Sequence, residues 1–158
     1  MKDRPGQRRA TAAQAGLVAL GGAFGAAARY GVEVALEGIG PWPWGTLVVN
    51  LAGSLALGWL LGYLGSMPDA ARWRVLRLTL GPGFLGGFTT YSALAVEAST
   101  AVVYGLTGSG EPVAWVGLQL VYLVLSVAAG VVLACLGLLV GGRAGRARPA
   151  RAEGRAGA

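Results

Sequence analysis

The chain has 158 residues, 54% of them hydrophobic and only 13% charged, with a mean hydropathy of +0.59. That profile excludes an ordinary soluble domain and indicates an integral membrane protein. The net charge of +6 comes from basic residues placed between apolar runs, which argues against nucleic acid, and no histidine with one cysteine leaves little for metal or Cys/His chemistry.

Uncharged runs of about 20 residues predict four membrane helices. The first covers about 15–36 and is the weakest, because Arg29 and Glu33 lie in its last two turns. Its basic start and the "GAAARY" at 25–30 also read as a signal peptide cleaved after Ala28. Against that, the glycines at 21, 22 and 25 suit close helix packing. Arg29 and Glu33 are spaced i, i+4 and can pair with each other.

The second span covers about 44–64 and carries Asn50 in its middle. An amide there serves either as a bridge between helices, beside small residues such as Gly53 and Ser54, or as a donor into an aqueous or ionic pathway. The third covers about 78–104 and is interrupted by "GPGFLGGFTTYSAL" at 81–94. Pro82 alone suffices for a kink, so the added glycines and the polar run Thr89, Thr90, Tyr91 and Ser92 point to function. Irregular backbone at membrane depth is tolerated only where protein or a water-filled cavity satisfies its freed amides and carbonyls. Glu97 follows Thr90 by about two turns and reads as a proton-handling carboxylate or as a residue near a vestibule mouth.

The fourth span covers about 113–140. Tyr122, Ser126 and Gly130 fall on one helix face. The two hydroxyls either face neighbouring helices or form a ladder along a pore. Cys135 lies in the same apolar run and reads as packing. Beyond it, "GGRAGRARPARAEGRAGA" at 141–158 has no apolar periodicity and is expected to be disordered, resting on anionic lipid head groups. The domain reading is a basic cytoplasmic tail at 1–13, a transmembrane domain at 14–141 and a disordered cytoplasmic tail at 142–158.

The basic residues orient these spans. Lys2, Arg4, Arg8 and Arg9 precede the first, Arg72, Arg74 and Arg77 lie between the second and third, and Arg143, Arg146, Arg148, Arg151 and Arg155 follow the fourth. All twelve fall on one side of a four-span chain, and only Arg29 lies at the other. The positive-inside rule then puts both termini in the cytoplasm, with a single orientation in the cell membrane.

Three stretches in order resemble the CrcB/Fluc fluoride channels. They are "GGAFGAAARY" at 21–30, "GTLVVNLAGSLALG" at 45–58, and "GFLGGFTTYSAL" at 83–94, which looks like that family's G-F-x-G-G-F-T-T-F-S-T-F. The resemblance covers roughly 21–137. It implies an all-α membrane protein of four transmembrane helices, the third broken mid-span, assembled as an antiparallel, dual-topology-type dimer with two fluoride pathways. It implies a sodium ion at the dimer centre, held by the backbone carbonyls of Gly86 and Thr89. Asn50 becomes the pore amide. Tyr91 and Leu94 take the places of two phenylalanines whose ring edges face the ion, with Ser92 beside them. Tyr122 and Ser126 match the hydroxyl track, and Arg29 and Glu97 the pathway ends. The partners implied are fluoride, membrane lipid and a second channel subunit, and no enzyme activity is implied.

The chemistry suits these residue types. Fluoride is small and tightly hydrated, so a pore must replace its water with close donors. Amides, hydroxyls and ring edges do this without trapping the ion. Export is passive. The chain departs from the pattern at Tyr91 and Leu94, at Ala93 in place of a threonine, and at Gly130 in place of a serine; a leucine offers no ring edge, so poor conduction through this box is expected. The one-sided charge also conflicts with a homodimer that must insert both ways up. The expectation is therefore one half of a heterodimeric channel. The competing readings are a small proton-coupled cation or multidrug exporter, which needs a deep carboxylate, and a non-conducting partner subunit. An enzyme is not expected, because no nucleophile–base pair is visible.

Overall fold

In the computed structural model, residues 5–40, 42–67, 70–107 and 112–156 are described, and among them every regular element is helical. Helix α1 spans Pro5–Ala35 and α2 spans Trp44–Gly65. Helix α3, Ala71–Leu78, passes directly into a π-helical segment, Thr79–Leu85, and a last turn, α4, Gly86–Phe88. Helix α5 is Tyr91–Thr107 and α6 is Pro112–Ala156.

Among the described residues, three helices are long and apolar enough to cross a membrane: 11–35 within α1, all of α2, and 116–147 within α6. The stretch expected as the third span is not one such helix. Its longest regular piece, α5, has 17 residues, about 25 Å of helix against a hydrocarbon core near 30 Å. Two local causes divide it. Pro82 has no N–H to return to the Leu78 carbonyl, and the wider π turn between Thr79 and Leu85 absorbs the mismatch. Thr89 then leaves the helix altogether in an extended conformation, φ −77° and ψ 157°.

Close helix approach depends on missing side chains. The most extensive packing joins α2 to α6. A Cβ on Gly58 would overlap the Ala134 carbonyl, one on Gly62 the Leu138 carbonyl, and one on Gly141 the Trp59 carbonyl. At i, i+4 spacing these glycines form one bare face on each helix, the arrangement that lets backbones touch in lipid. Likewise α1 lies on the π segment through Gly21 and Gly25, whose added Cβ atoms would strike the Thr79 and Phe84 carbonyls.

The last span was expected to end at about Val140, and α6 runs on from there to Ala156. The same glycine face continues beyond Val140: Gly141 and Gly145 pack against Trp59 and Tyr63 of α2 and against Ser66, which caps it. The run beyond them is mostly alanine and arginine, both strong helix formers.

The buried apolar residues are few: Val49, Leu60, Leu64, Leu85 and Leu94. Leu60, Leu64 and Leu85 form one cluster, with Tyr63, Trp73 and Phe84 packed on it, so α3 and the π segment are anchored to α2. Arg77 adds a bond from Nη2 to the Leu64 carbonyl at 3.1 Å, near the C-terminal end of α2. Most other large apolar side chains, among them Phe24, Val124 and Leu125, face outward. This is the inverse of a water-soluble core and fits a lipid solvent.

Candidate functional site

The site grows from the break after Phe88. In an unbroken helix the Thr90 N–H would return to the Gly86 carbonyl. Here it donates instead to Asn50 Oδ1 at 2.8 Å, while Asn50 Nδ2 donates to the Thr90 carbonyl at 2.9 Å. One side chain of α2 therefore satisfies both backbone groups of one residue in the gap. The Thr90 hydroxyl accepts from the Ala93 N–H at 3.1 Å, which makes Thr90 the N-cap of α5. Its partner Ser92 shares a hydrogen bond with it at 3.2 Å on the exposed side. The Thr89 hydroxyl donates back to the Leu85 carbonyl at 2.9 Å.

These substitutions free carbonyls. Gly86 loses the Thr90 N–H to Asn50, and Thr89 loses the Ala93 N–H to the Thr90 hydroxyl. Neutral carbonyl oxygens are hard donors suited to a small hard cation. Among the described residues no group of three acidic, histidine or cysteine side chains could hold a metal. The oxygen donors near the break are thus neutral, backbone carbonyls together with the Thr89, Thr90 and Ser92 hydroxyls.

Beside the break lies an open cavity of about 390 Å³, whose lining includes Asn50, Ser54, Thr89, Tyr91, Leu94 and Ser126. Five of these six are residues the sequence singles out, drawn from α2, the break, α5 and α6. Asn50 has used one of its two amide hydrogens, so the second is available here. Tyr91 is 82% exposed and Leu94 only 6%. The Ser126 hydroxyl donates to the Tyr122 carbonyl at 2.7 Å, so its hydrogen points back into its own helix.

Five expected residues, Tyr122, Ser92, Gly86, Arg29 and Glu97, sit apart from this cavity. Tyr122 lines a second, apolar cavity of about 360 Å³ that Ser126 also borders. The Tyr122 ring centroid is 5.9 Å from that of Trp42, and its hydroxyl is buried with no partner among the described residues. Ser92 does not border the main cavity. Gly86 is exposed and likewise lies off the cavity wall.

Arg29 and Glu97 share a third cavity of about 460 Å³ with Glu33, Trp42 and Thr46. Arg29 Nη1 pairs with Glu33 Oε1 at 3.3 Å, the expected i, i+4 pair, and Arg29 Nε donates to the Gly87 carbonyl at 3.4 Å. One Glu97 oxygen accepts from the Thr46 hydroxyl; the other is buried without a partner among the described residues.

Thr46 was missed by sequence reasoning, and Ser54 was read only as a small residue beside the Asn50 amide. A signal was present: Thr46, Asn50 and Ser54 follow at i, i+4, i+8 and form a polar stripe down α2. Gly53 was read as a small residue beside the same amide, and a Cβ there would overlap the Thr89 methyl.

The family described as CrcB-like protein, Camphor Resistance (CrcB) matches this chain over residues 16–138. The fluoride-specific ion channel FluC of Hyphomonas neptunium is 50% identical over 93 residues, 58% of this chain and 72% of the relative. The fluoride-specific ion channel FluC 1 of Cutibacterium acnes is 44% identical over 124 residues, covering 75% and 78%. The fluoride-specific ion channel FluC of Novosphingobium aromaticivorans is 39% identical over 127 residues, covering 78% and 91%.

Proposed function

The chain belongs to the CrcB family, and on that premise we propose that it is a subunit of a fluoride-selective channel that lets fluoride leave the cytoplasm passively. The observation that carries this reading is the Asn50 amide, held in place by both backbone groups of Thr90 at the helix break, with a second N–H free at the wall of the 390 Å³ cavity. A fixed neutral donor replaces hydration water without the tight binding that a lysine would impose. The positive ring edge of Tyr91 and the hydroxyls of α6 extend the pathway; Ser126 must turn its hydrogen from Tyr122 toward the ion. Arg29 and Glu97 stand at a separate cavity and form its approach. The electrochemical gradient of the anion supplies the driving force.

Residues 71–107 act as the remaining span in this reading, broken at Thr89 and Thr90, which makes four crossings with both termini in the cytoplasm of the cell membrane. The carbonyls freed at Gly86 and Thr89 fit a sodium ion. One chain brings two of them, fewer than a sodium ion's shell takes, so a second, inverted subunit would bring the others. When bound, the ion would neutralise the carbonyl dipoles and tie the two breaks together. The twelve basic residues on one side favour a partner of opposite charge bias, which makes the assembly a heterodimer.

The experiment is fluoride efflux from liposomes, with this chain alone and with an oppositely oriented partner, and with Asn50→Asp as the control. Selective efflux that needs the partner and is lost in the variant is the expected result. Efflux from the chain alone sinks the heterodimer, and chloride passing as readily as fluoride sinks the channel reading. A chain that only supports its partner's pore would leave efflux unchanged in the Asn50→Asp assembly.

A further inference from the structure

Ser54 lies one turn beyond Asn50 on the same face of α2, and both border the 390 Å³ cavity. Across the cavity on α6, Ser126 and Gly130 repeat the same four-residue step. The hydroxyl ladder on α6 stops there, because Gly130 has no side chain. Opposite that gap stands Ser54: a Cβ built on Gly130 would lie 3.3 Å from Ser54 Oγ. The serine oxygen thus occupies the space that a side chain at 130 would enter.

The two serines differ in what their hydrogens do. Ser126 donates into its own helix, to the Tyr122 carbonyl. Ser54 is half-buried, borders the cavity, and makes no hydrogen bond to protein among the described residues. A mid-helix serine ordinarily returns its hydrogen to the carbonyl one turn back. An uncommitted hydroxyl on a largely apolar cavity wall, one turn from a fixed amide N–H, is a donor waiting for an acceptor. A compact anion beside Asn50 would be that acceptor.

We propose that Ser54 is a fluoride-coordinating residue of this chain, supplying from α2 the hydroxyl that Gly130 leaves out of α6. The proposal rests on the channel reading above and adds to it a residue that selects for fluoride. Hydroxyl donation to a charged acceptor is among the stronger hydrogen bonds, and its loss corresponds to roughly a tenfold effect or more.

The test uses the purified conducting assembly containing this chain, with Ser54→Ala and with the double variant Ser54→Ala/Gly130→Ser. Removing the Ser54 oxygen clears the space that a serine at 130 would need. We expect Ser54→Ala to lower fluoride flux about tenfold and reduce the preference for fluoride over chloride, with elution profile and melting temperature unchanged. The double variant should recover most of the flux by returning a hydroxyl from the other wall. Ser54→Ala at wild-type flux and selectivity overturns the proposal, as does a double variant no faster than Ser54→Ala. A wild-type assembly that passes no fluoride overturns the channel reading and this proposal together, so the two failures are distinguishable.

Discussion

In the proposed channel, Asn50 is structural and functional at once. Its oxygen accepts from Thr90 and one amide hydrogen donates to Thr90, which leaves a single hydrogen for an ion. Asn50→Asp keeps the acceptor, loses the donor and adds a negative charge at the cavity wall. The expected outcome is loss of fluoride flux while the assembly still elutes as wild type. Asn50→Leu goes further, stranding both backbone groups of Thr90 at about 1–3 kcal/mol each. It should lower the melting temperature in detergent more than Asn50→Asp does. At position 94 the argument runs the other way. Leu94 borders a cavity with room for a ring, and Leu94→Phe would add the polarised edge that leucine lacks. Flux should rise several-fold in efflux measurements; an unchanged or slower rate would show that the missing ring does not limit this chain.

At the scale of elements, the decisive feature is contact between bare backbones. Gly58 and Gly62 of α2 meet the Ala134 and Leu138 carbonyls, and Gly141 meets Trp59. In lipid there is no hydrophobic gain from pressing two apolar helices together, so shape and van der Waals contact hold them. Gly58→Val should therefore separate α2 from α6 and cost about 1–3 kcal/mol or more, read as a lower melting temperature and a changed elution profile. Gly117→Ala on α6 is the control: a Cβ there meets nothing within 4 Å, and its effect should stay within about 0.5 kcal/mol. The broken region follows different logic. Pro82 widens the helix, Thr89 leaves it, and Asn50 together with the Thr90 cap of α5 satisfies what the break exposes. The π segment needs its neighbour as well, because α1 approaches it only where Gly21 and Gly25 permit.

For the whole molecule, charge is the organising quantity. The three acidic residues whose side chains are described, Glu33, Glu37 and Glu97, all line the cavity of Arg29. Arg72, Arg74 and Arg77 on α3 and Arg143 and Arg146 on α6 belong to the opposite set of basic segments. Reporter fusions at the C-terminus should accordingly give a cytoplasmic signal and no exported one. Comparable signals from both sides of the membrane would refute single insertion and make a homodimer the simpler assembly.

What the sequence determined by itself rests on quantities that need no neighbour. Hydropathy over about 20 residues and the placement of Arg and Lys are local sums, so the membrane class and the three intact spans were legible. The irregular backbone at 81–94 has an equally local origin, since proline and glycine act on their own backbone. The i, i+4 pair of Arg29 and Glu33 was also readable, being set by helix geometry alone. Tertiary structure decided the rest. Only the packing of α2 on the break reveals that Asn50 holds Thr90, that Thr46 holds Glu97, and that Ser54 stands where Gly130 has no side chain. The continuation of α6 past Val140 was hidden too, because glycines that read as flexible in isolation become a contact surface once α2 lies against them. A glycine has no side chain to announce a partner, and a hydroxyl has no period. Their roles exist only between helices.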